Sequence, residues 1–504
     1  MSYDRNAKGE FEILDGERGT MLRRLERLSQ LTIPSIVPDD DYKTETDQLT
    51  NGFTSLGAQC VTHLTNKVVT AMFAPSRPFM RLTLDPKTLA QYEEQGIEEA
   101  VVTDALANAE REAMGELERE GCREALYEAM SHLITVGNVL MDLSGEQLVF
   151  VGIKDYVVRR NKKGRVTCLI IREKVRYEDL EEDARREYEA TGATCQHDHE
   201  CCTYRQIKLV SGMYRESFWV ENVNLGPKYA GKYKPENVPF RALTWRLPIG
   251  QNYGVGRVEE YANDLATNDQ LSESMSDGAI LASQFKWLAN PAGITRPEDV
   301  TRGGNGDIIP GVSGDLALVF ANIGQQLATV QAIQQDYQRR LGAGFLLSSA
   351  VTRDAERVTA EEIRIQAMEL ESSLGGVYSR LALSIQEPLA NWLLKQADIK
   401  IQGTKIKPTI ITGLDALSRS GDLDRMRQFL GDVTLLDQIQ PPTRASLNEN
   451  NIVSDMAAGN GVDKSRYVLP PQQVAANQQA MQQQQLEQQA ASNQVDAQTQ
   501  GAAQ

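Results

Sequence analysis

Cysteine and histidine are scarce in this chain, six and four among 504 residues. The six thiols (Cys60, Cys122, Cys168, Cys195, Cys201, Cys202) are too sparse for a disulfide scaffold and are expected to be reduced. Four imidazoles (His63, His132, His197, His199) leave few general bases. No Ser/His/Asp set, Cys/His set or paired-carboxylate motif stands out, so no catalytic residue is assigned and the chain is expected not to be an enzyme. Long apolar runs are missing too. Nothing approaches the roughly 20 residues of a membrane span, and the polar opening Met1-Ser-Tyr-Asp-Arg predicts no secretory leader, hence cytosol-like conditions and no membrane partner.

Positive charge is also in short supply. Lys and Arg number 53 against 69 Asp and Glu, a net charge of −16. A protein that grips DNA clusters basic residues to displace phosphate counterions, and this composition lacks that footprint. It suits a surface that duplex must slide past, with contact confined to a few arginines; it equally suits plain solubility.

What is present is a length for two or more domains and a strong helical pattern late in the chain. Thr359 and Glu362 form a capping box. Ile363, Ala367, Leu370, Leu374, Val377, Leu381, Ile385 and Leu389 then step by three or four residues toward Trp392 and Leu393, a single apolar seam. Gly375-Gly376 and Pro388 interrupt it, and a bend is predicted at each. So long a seam either spans a large domain or packs against copies of itself.

Ahead of it, residues 1–147 read as mainly helical: Leu22, Leu25 and Leu28 before Pro34, Leu56, Val61, Leu64 and Val68 before Pro75, then a charged helix from Ile97 to about Gly121. Short β-branched or aromatic runs follow at 148–153, 156–160, 165–172, 203–210, 216–223 and 240–247, with one charged helix near 177–191. Helix returns over 254–283 and 323–347. Between them, Pro291, Pro297, Pro310 and six glycines break the pattern. Beyond Pro470-Pro471 the chain is Gln/Ala-rich, with little to bury, and is expected to be a frayed helix or disordered.

Several short elements together resemble the head-to-tail connector, or portal, proteins of short-tailed double-stranded-DNA bacteriophages. They are Leu31-Thr-Ile-Pro34-Ser with Pro38, Val136-Gly-Asn-Val-Leu140, Asp155-Tyr-Val-Val158, Tyr253-Gly-x-Gly-Arg257 with Glu260-Tyr261, and Asn290-Pro-Ala-Gly-Ile-Thr295. Ser349-Ala-Val with Arg357-Val-Thr-Ala-Glu-Glu-Ile-Arg364, Leu374-Gly-Gly-Val-Tyr378, and Thr412-Gly-Leu414 with Asp422-Leu-Asp424 continue the series in the family's order. The resemblance implies an α+β, mainly α fold: a wing over 1–253, helical then β-rich, a two-helix stem at 254–284 and 323–347, and a clip at 285–322. It further implies a tunnel loop at 348–359, a long kinked spine helix with a wing return over 360–440, a crown at 441–470 and the tail at 471–504.

It also implies a role. About twelve copies would form a ring at one capsid vertex, nucleate the shell with major capsid and scaffold proteins, seat the terminase packaging motor and then hold the tail adaptor proteins. The ring would conduct double-stranded DNA during packaging and ejection, place the protein in the virion after assembly in host cytoplasm, and need no cofactor. Arg353 and Arg357 in the tunnel loop would touch the duplex as weak phosphate contacts, with Asp354 and Glu356 limiting their grip.

Three features point elsewhere. Gly226-Pro-Lys-Tyr-Ala-Gly231-Lys232 has phosphate-loop spacing, but Tyr233 replaces the Ser or Thr that would ligate magnesium and no strand-then-helix setting follows, so the ATP-driven DNA translocase it would imply is set behind a plain turn. Cys195, His197, His199, Cys201 and Cys202 could support a zinc-stabilised binding module only if folded as a tight loop, since alternate strand residues lie about 6.6 Å apart. No metal is therefore assigned. Arg159, Arg160, Lys162, Lys163 and Arg165 surround Gly164, either a nucleic-acid contact or a solvated hairpin tip.

Overall fold

The fold begins on a capped helix. Asn6 accepts from the amide of Lys8 at 3.0 Å and opens α1 (Ala7–Glu17), the stabilising arrangement for an orphan N–H. The computed structural model describes residues 6–40, 42–43, 45–73, 79–83, 99–119, 121–191, 200–283, 286–304, 306–319, 324–347, 368–396 and 409–412, with 431, 432 and 452. Two units are separable, Met1–Leu414 and Asp415–Gln504, and nearly everything described belongs to the first. The 441–470 and 471–504 segments therefore lie outside the described residues except for position 452.

After α1 come α2 (Gly19–Gln30), α3 (Leu56–Met72) and α4 (Glu99–Arg119), close to the helices predicted, and then α5 (Cys122–Val136), which falls in the stretch read only as mainly helical. The reading of 1–147 as mainly helical missed two strands, β1 (Met80–Thr83) and β2 (Asn138–Asp142). Helix α5 ends on Gly137 at φ 77°, the left-handed C-terminal cap, and the chain leaves it extended. Strand β2 lies between β3 (Val149–Val151) and β10 (Phe240–Thr244), with Val139, Leu140 and Met141 wholly buried. A strand buried on both faces shows no alternation, which is why five residues next to a helix did not announce themselves.

The larger sheet runs β4 (Tyr156–Arg160), β5 (Val166–Arg176), β6 (Glu200–Val210), β7 (Met213–Val220) and β8 (Val223–Asn224), with β9 (Lys232–Tyr233) also on β7. It is antiparallel throughout. Helix α1 covers one face through Phe11 and Leu14 on Val157, Ile170 and Tyr204. The other face, with Cys201 and Val220, packs on Tyr177, Leu180, Ala184 and Tyr188 around α6 (Glu182–Ala190). Apolar residues on both faces explain why these strands read as runs rather than alternations.

A short α7 (Arg257–Glu260) leads into α8 (Ala262–Ser283), followed by β11 (Lys286–Ala289), α9 (Pro297–Arg302), β12 (Leu316–Val319) and α10 (Gly324–Gly344). Strands β11 and β12 pair antiparallel, and α8 packs along α10. The outcome is an arm of two helices with a small β tip.

The late seam is only partly within the described residues; Ile363, Ala367 and the Thr359–Glu362 capping box lie outside them. Of the rest, Leu370, Leu374, Val377, Leu381, Ile385, Leu389, Trp392 and Leu393 are all buried. The chain itself supplies cover: the 387–396 stretch packs on α4 and β13 (Thr409–Thr412), and the 382–386 turn on β10 and β13. The bend predicted at Gly375-Gly376 is a full stop. Both glycines are left-handed, at φ 64° and 78°, and the amide of Gly376 closes on the Glu371 carbonyl at 3.0 Å. Glu371 then accepts from the Ser379 amide at 2.9 Å, bridging the break into α11 (Val377–Leu381). Ahead of Pro388 the helix widens into a π turn over Ala382–Gln386 and continues as α12 (Glu387–Gln396), so the ladder is loosened just before a residue that has no N–H to give it.

Candidate functional site

Arg353 and Arg357 lie outside the described residues, as do Cys195, His197 and His199. Cys201 and Cys202 are described, and β6 separates them. Cys201 is buried among Tyr177 and Val220, while Cys202 packs on the opposite face beside Tyr204. Successive strand residues point to opposite sides of a sheet, so these two thiols cannot close on one metal ion. Among the described residues no group of three or more His, Cys, Asp or Glu could hold a metal.

What the structure does bring together is the set of short elements spread along the sequence. Asn138 donates to the Gly254 carbonyl at 2.9 Å and accepts from the Gly254 amide at 2.7 Å, stitching the 136–140 segment to 253–261. The backbones touch so closely that a Cβ on Gly256 would stand 2.6 Å from the Thr135 carbonyl oxygen and 2.8 Å from the Gly137 nitrogen. Tyr253 accepts at its hydroxyl from the Val158 amide at 3.1 Å, adding the 155–158 segment. Lys154 reaches the Pro38 carbonyl at 2.6 Å, and buried Arg18 donates to the Ile153 carbonyl at 2.7 Å, adding the N-terminal one. Burial raises the Tyr253 hydroxyl above its ordinary range, so it stays a neutral hydrogen-bonding group.

This junction is the root of the arm. Arg257 donates from Nη2 to the Gly344 carbonyl at 3.0 Å and lies 4.9 Å over the Tyr261 ring, which meets Phe345 at 5.4 Å. From α3, His63 Nε2 lies 3.1 Å and Lys67 Nζ 3.2 Å from the Leu346 carbonyl oxygen. Leu346 itself is left-handed, at φ 57°, a conformation a leucine holds only when its surroundings impose it. Arg257 on the Gly344 carbonyl places a positive charge at the C-terminal end of α10, where the helix dipole favours it. Sequence reasoning gives no role to His63, Lys67 or Leu346 and reaches Asn138 only as part of the 136–140 element, where the neighbouring glycine is the available signal.

Outward from the root, burial stops. From 269 to 340 no described side chain is buried, although Ile280, Leu288, Ile294, Ile308, Val312 and Ile333 are large and apolar and Ile308 is 99% exposed. Helix α8 carries Asp264, Asp269, Glu273 and Asp277 and no Lys or Arg; α10 carries Asp336, Arg339 and Arg340. Arg340 is engaged with Asp336 at 3.0 Å and stacks 4.3 Å over Tyr337. At the tip, Asp315 accepts from both the amide and the hydroxyl of Thr295, at 3.0 and 2.9 Å, which holds its carboxyl below the usual range and pins the 290–295 turn.

The other two features resolve as structure. In the 226–232 segment, β9 follows directly, and Tyr233 donates its hydroxyl to Glu216 at 2.6 Å; no helix terminus is presented to a phosphate. Within the basic hairpin, Arg160 donates to the carbonyls of Asn252, Gly164 and Ala242, whereas Lys162 and Lys163 are exposed.

Comparison with known proteins places this geometry. The family model described as bacteriophage head to tail connecting protein matches residues 4–468. The portal protein of Escherichia phage T7 is 32% identical over 480 residues, covering 93% of this chain and 89% of its own. The portal protein of Enterobacteria phage SP6 is 31% identical over 443 residues, covering 87% and 85%. That of Enterobacteria phage T3 is 31% identical over 482 residues, covering 93% and 89%.

Proposed function

The chain belongs to the bacteriophage head to tail connecting protein family, and from that premise we propose that it acts as a portal: a ring of copies, about twelve, at one capsid vertex, through which DNA enters and leaves. In this reading α8 and α10 are the stem, residues 285–322 the clip, 348–359 the tunnel loop, and the wing comprises the two sheets with their helices. Major capsid and scaffold proteins meet the ring during assembly, the terminase motor and later the tail adaptors dock at its clip end, and the protein has no catalytic step of its own.

The observation that carries this reading is the uncovered arm. A helix pair and a two-stranded tip in which no described side chain from 269 to 340 is buried show no core of their own among the described residues, and exposed isoleucines need a neighbour to cover them. Copies placed side by side supply it. The acidic α8 then suits a wall that duplex slides past rather than adheres to. Arg353 and Arg357 add at most about one unit of salt slope each where a full phosphate contact forms.

Imaging the purified particle end-on tests the ring: a closed annulus with a duplex-wide hole is expected, and a sample that stays a single subunit at every concentration would end the proposal. Replacing Arg353 and Arg357 by alanine tests the loop. Reduced DNA retention is expected, and unchanged packaging and retention would count against the loop assignment alone.

A further inference from the structure

Apart from the junction and the arm, the wing holds a cavity of 280 Å³ between the 160–166 hairpin, the β6–β7 sheet, β10 and the π turn. Its charged lining residues are Arg160, Arg165 and Arg241, and no Asp or Glu lines it. Leu169, Ile207 and Phe240 contribute apolar wall.

The three guanidinium groups are short of counter-charge. Arg160 donates only to carbonyl oxygens, and Arg165 lies 5.9 Å over the Tyr214 ring. Arg241 gives one N–H to the Glu236 carbonyl at 2.7 Å, while its Nε is buried and without a partner. Burial pulls Arg160 and Arg241 below the usual guanidinium range; Glu387 opposes this at Arg241 without forming an ion pair. A buried donor left unmade is costly, so a recess that keeps the Arg241 Nε open, beside two further guanidinium groups with no carboxylate among the lining residues, is suited to an acceptor that arrives from outside.

We propose that this cavity binds a peptide carboxylate carried next to an apolar side chain, as at the end of a partner protein's chain. Planar guanidinium forks match a carboxylate in bidentate fashion. A space of this size accommodates about one large side chain, and the apolar wall contributes only if such a side chain fills it. Inorganic phosphate would meet the arginines and leave that wall uncovered. A polynucleotide backbone needs a continuous basic track, whereas these three arginines are confined to one recess. The inference is independent of the channel reading.

Ligand-observed NMR on the assembled full-length protein tests it with three probes: acetyl-Ala-Ala-Leu as the free acid, the same peptide as its C-terminal amide, and inorganic phosphate. The free acid is expected to bind at least tenfold more tightly than the amide or phosphate. Arg241→Gln and Arg165→Gln should each weaken it about tenfold. Should Arg241→Gln fail to assemble, Arg165→Gln, on an exposed side chain, still decides the matter. An amide that binds as well as the acid, phosphate that binds equally tightly, no binding of the acid, or full affinity retained in Arg165→Gln would each overturn the assignment. Preference for an internal glutamate peptide, acetyl-Ala-Glu-Leu-amide, over the free acid would overturn the chain-end form of it.

Discussion

The root of the arm and its outer length are built from the same kinds of residue and obey opposite rules. At the root, glycines let backbones touch, and Asn138, Tyr253, Arg257, His63 and Lys67 direct their hydrogen bonds at named backbone atoms. Along the arm no described side chain is buried: Arg340 pairs with Asp336 and Gln334 donates to Ser272 across the two helices, while Leu288, Ile294 and Ile308 stay largely exposed. The root is therefore finished when one chain folds, whereas on the proposed portal reading the arm is finished only when copies assemble. Stability and assembly become separable properties located in different residues.

Glycine substitutions at the root should have the largest effect, set by how closely other backbone approaches each position. Gly256→Ala forces a methyl group against three backbone atoms within 2.8 Å, and backbone cannot yield as a side chain tip can. We expect a loss of about 3 kcal/mol or more, read as collapse of soluble yield or of the thermal transition. Gly342→Ala in α10 meets nothing closer than 3.9 Å and should instead be neutral or gain up to about 1 kcal/mol from helix propensity. Equal effects at both sites would erase the distinction.

Apolar truncations come next. Leu389→Ala, in the fully buried seam, should cost about 2–5 kcal/mol in chemical denaturation of the unassembled subunit. Ile280→Ser, at a site 54% exposed, should leave that unfolding curve unchanged yet weaken ring formation, by about 1–2 kcal/mol per contact if a neighbour covers it. Mass measurement against protein concentration reads the second effect; a shift in subunit stability with no change in assembly would invert the picture.

A pH dependence is expected from the body alone. Burial pushes His132, on α5, down to about 4 from an ordinary 6.5, and its Nδ1 has no hydrogen-bond partner. Between those values the unfolded chain binds the extra proton, so its contribution is fully present above pH 6.5 and is lost as pH falls toward 4. His132→Phe should flatten the fall in melting temperature between pH 7 and 4.5, recovering about 1–3 kcal/mol. An unchanged pH profile would show that other groups govern acid sensitivity.

Read from the sequence, the helices at 56–72 and 99–119, the strand at 156–160, the helix pair of the arm and eight positions of the late seam needed only periodicity and turn residues, because each is governed by which face of a local element meets apolar neighbours. The order of the short elements was also enough to point to the family. Tertiary structure alone decided the rest. Strand β2 is buried on both faces, so its pattern is silent until β10 and β3 flank it. Gly375-Gly376 ends a helix rather than bending it because Glu371 can bridge the gap to Ser379. The segments at 31–38, 136–140, 155–158 and 253–261 could be seen as separate marks, but that they converge on one root, where contact across more than a hundred residues of chain is set by packing and not by spacing, was visible only once the chain was folded.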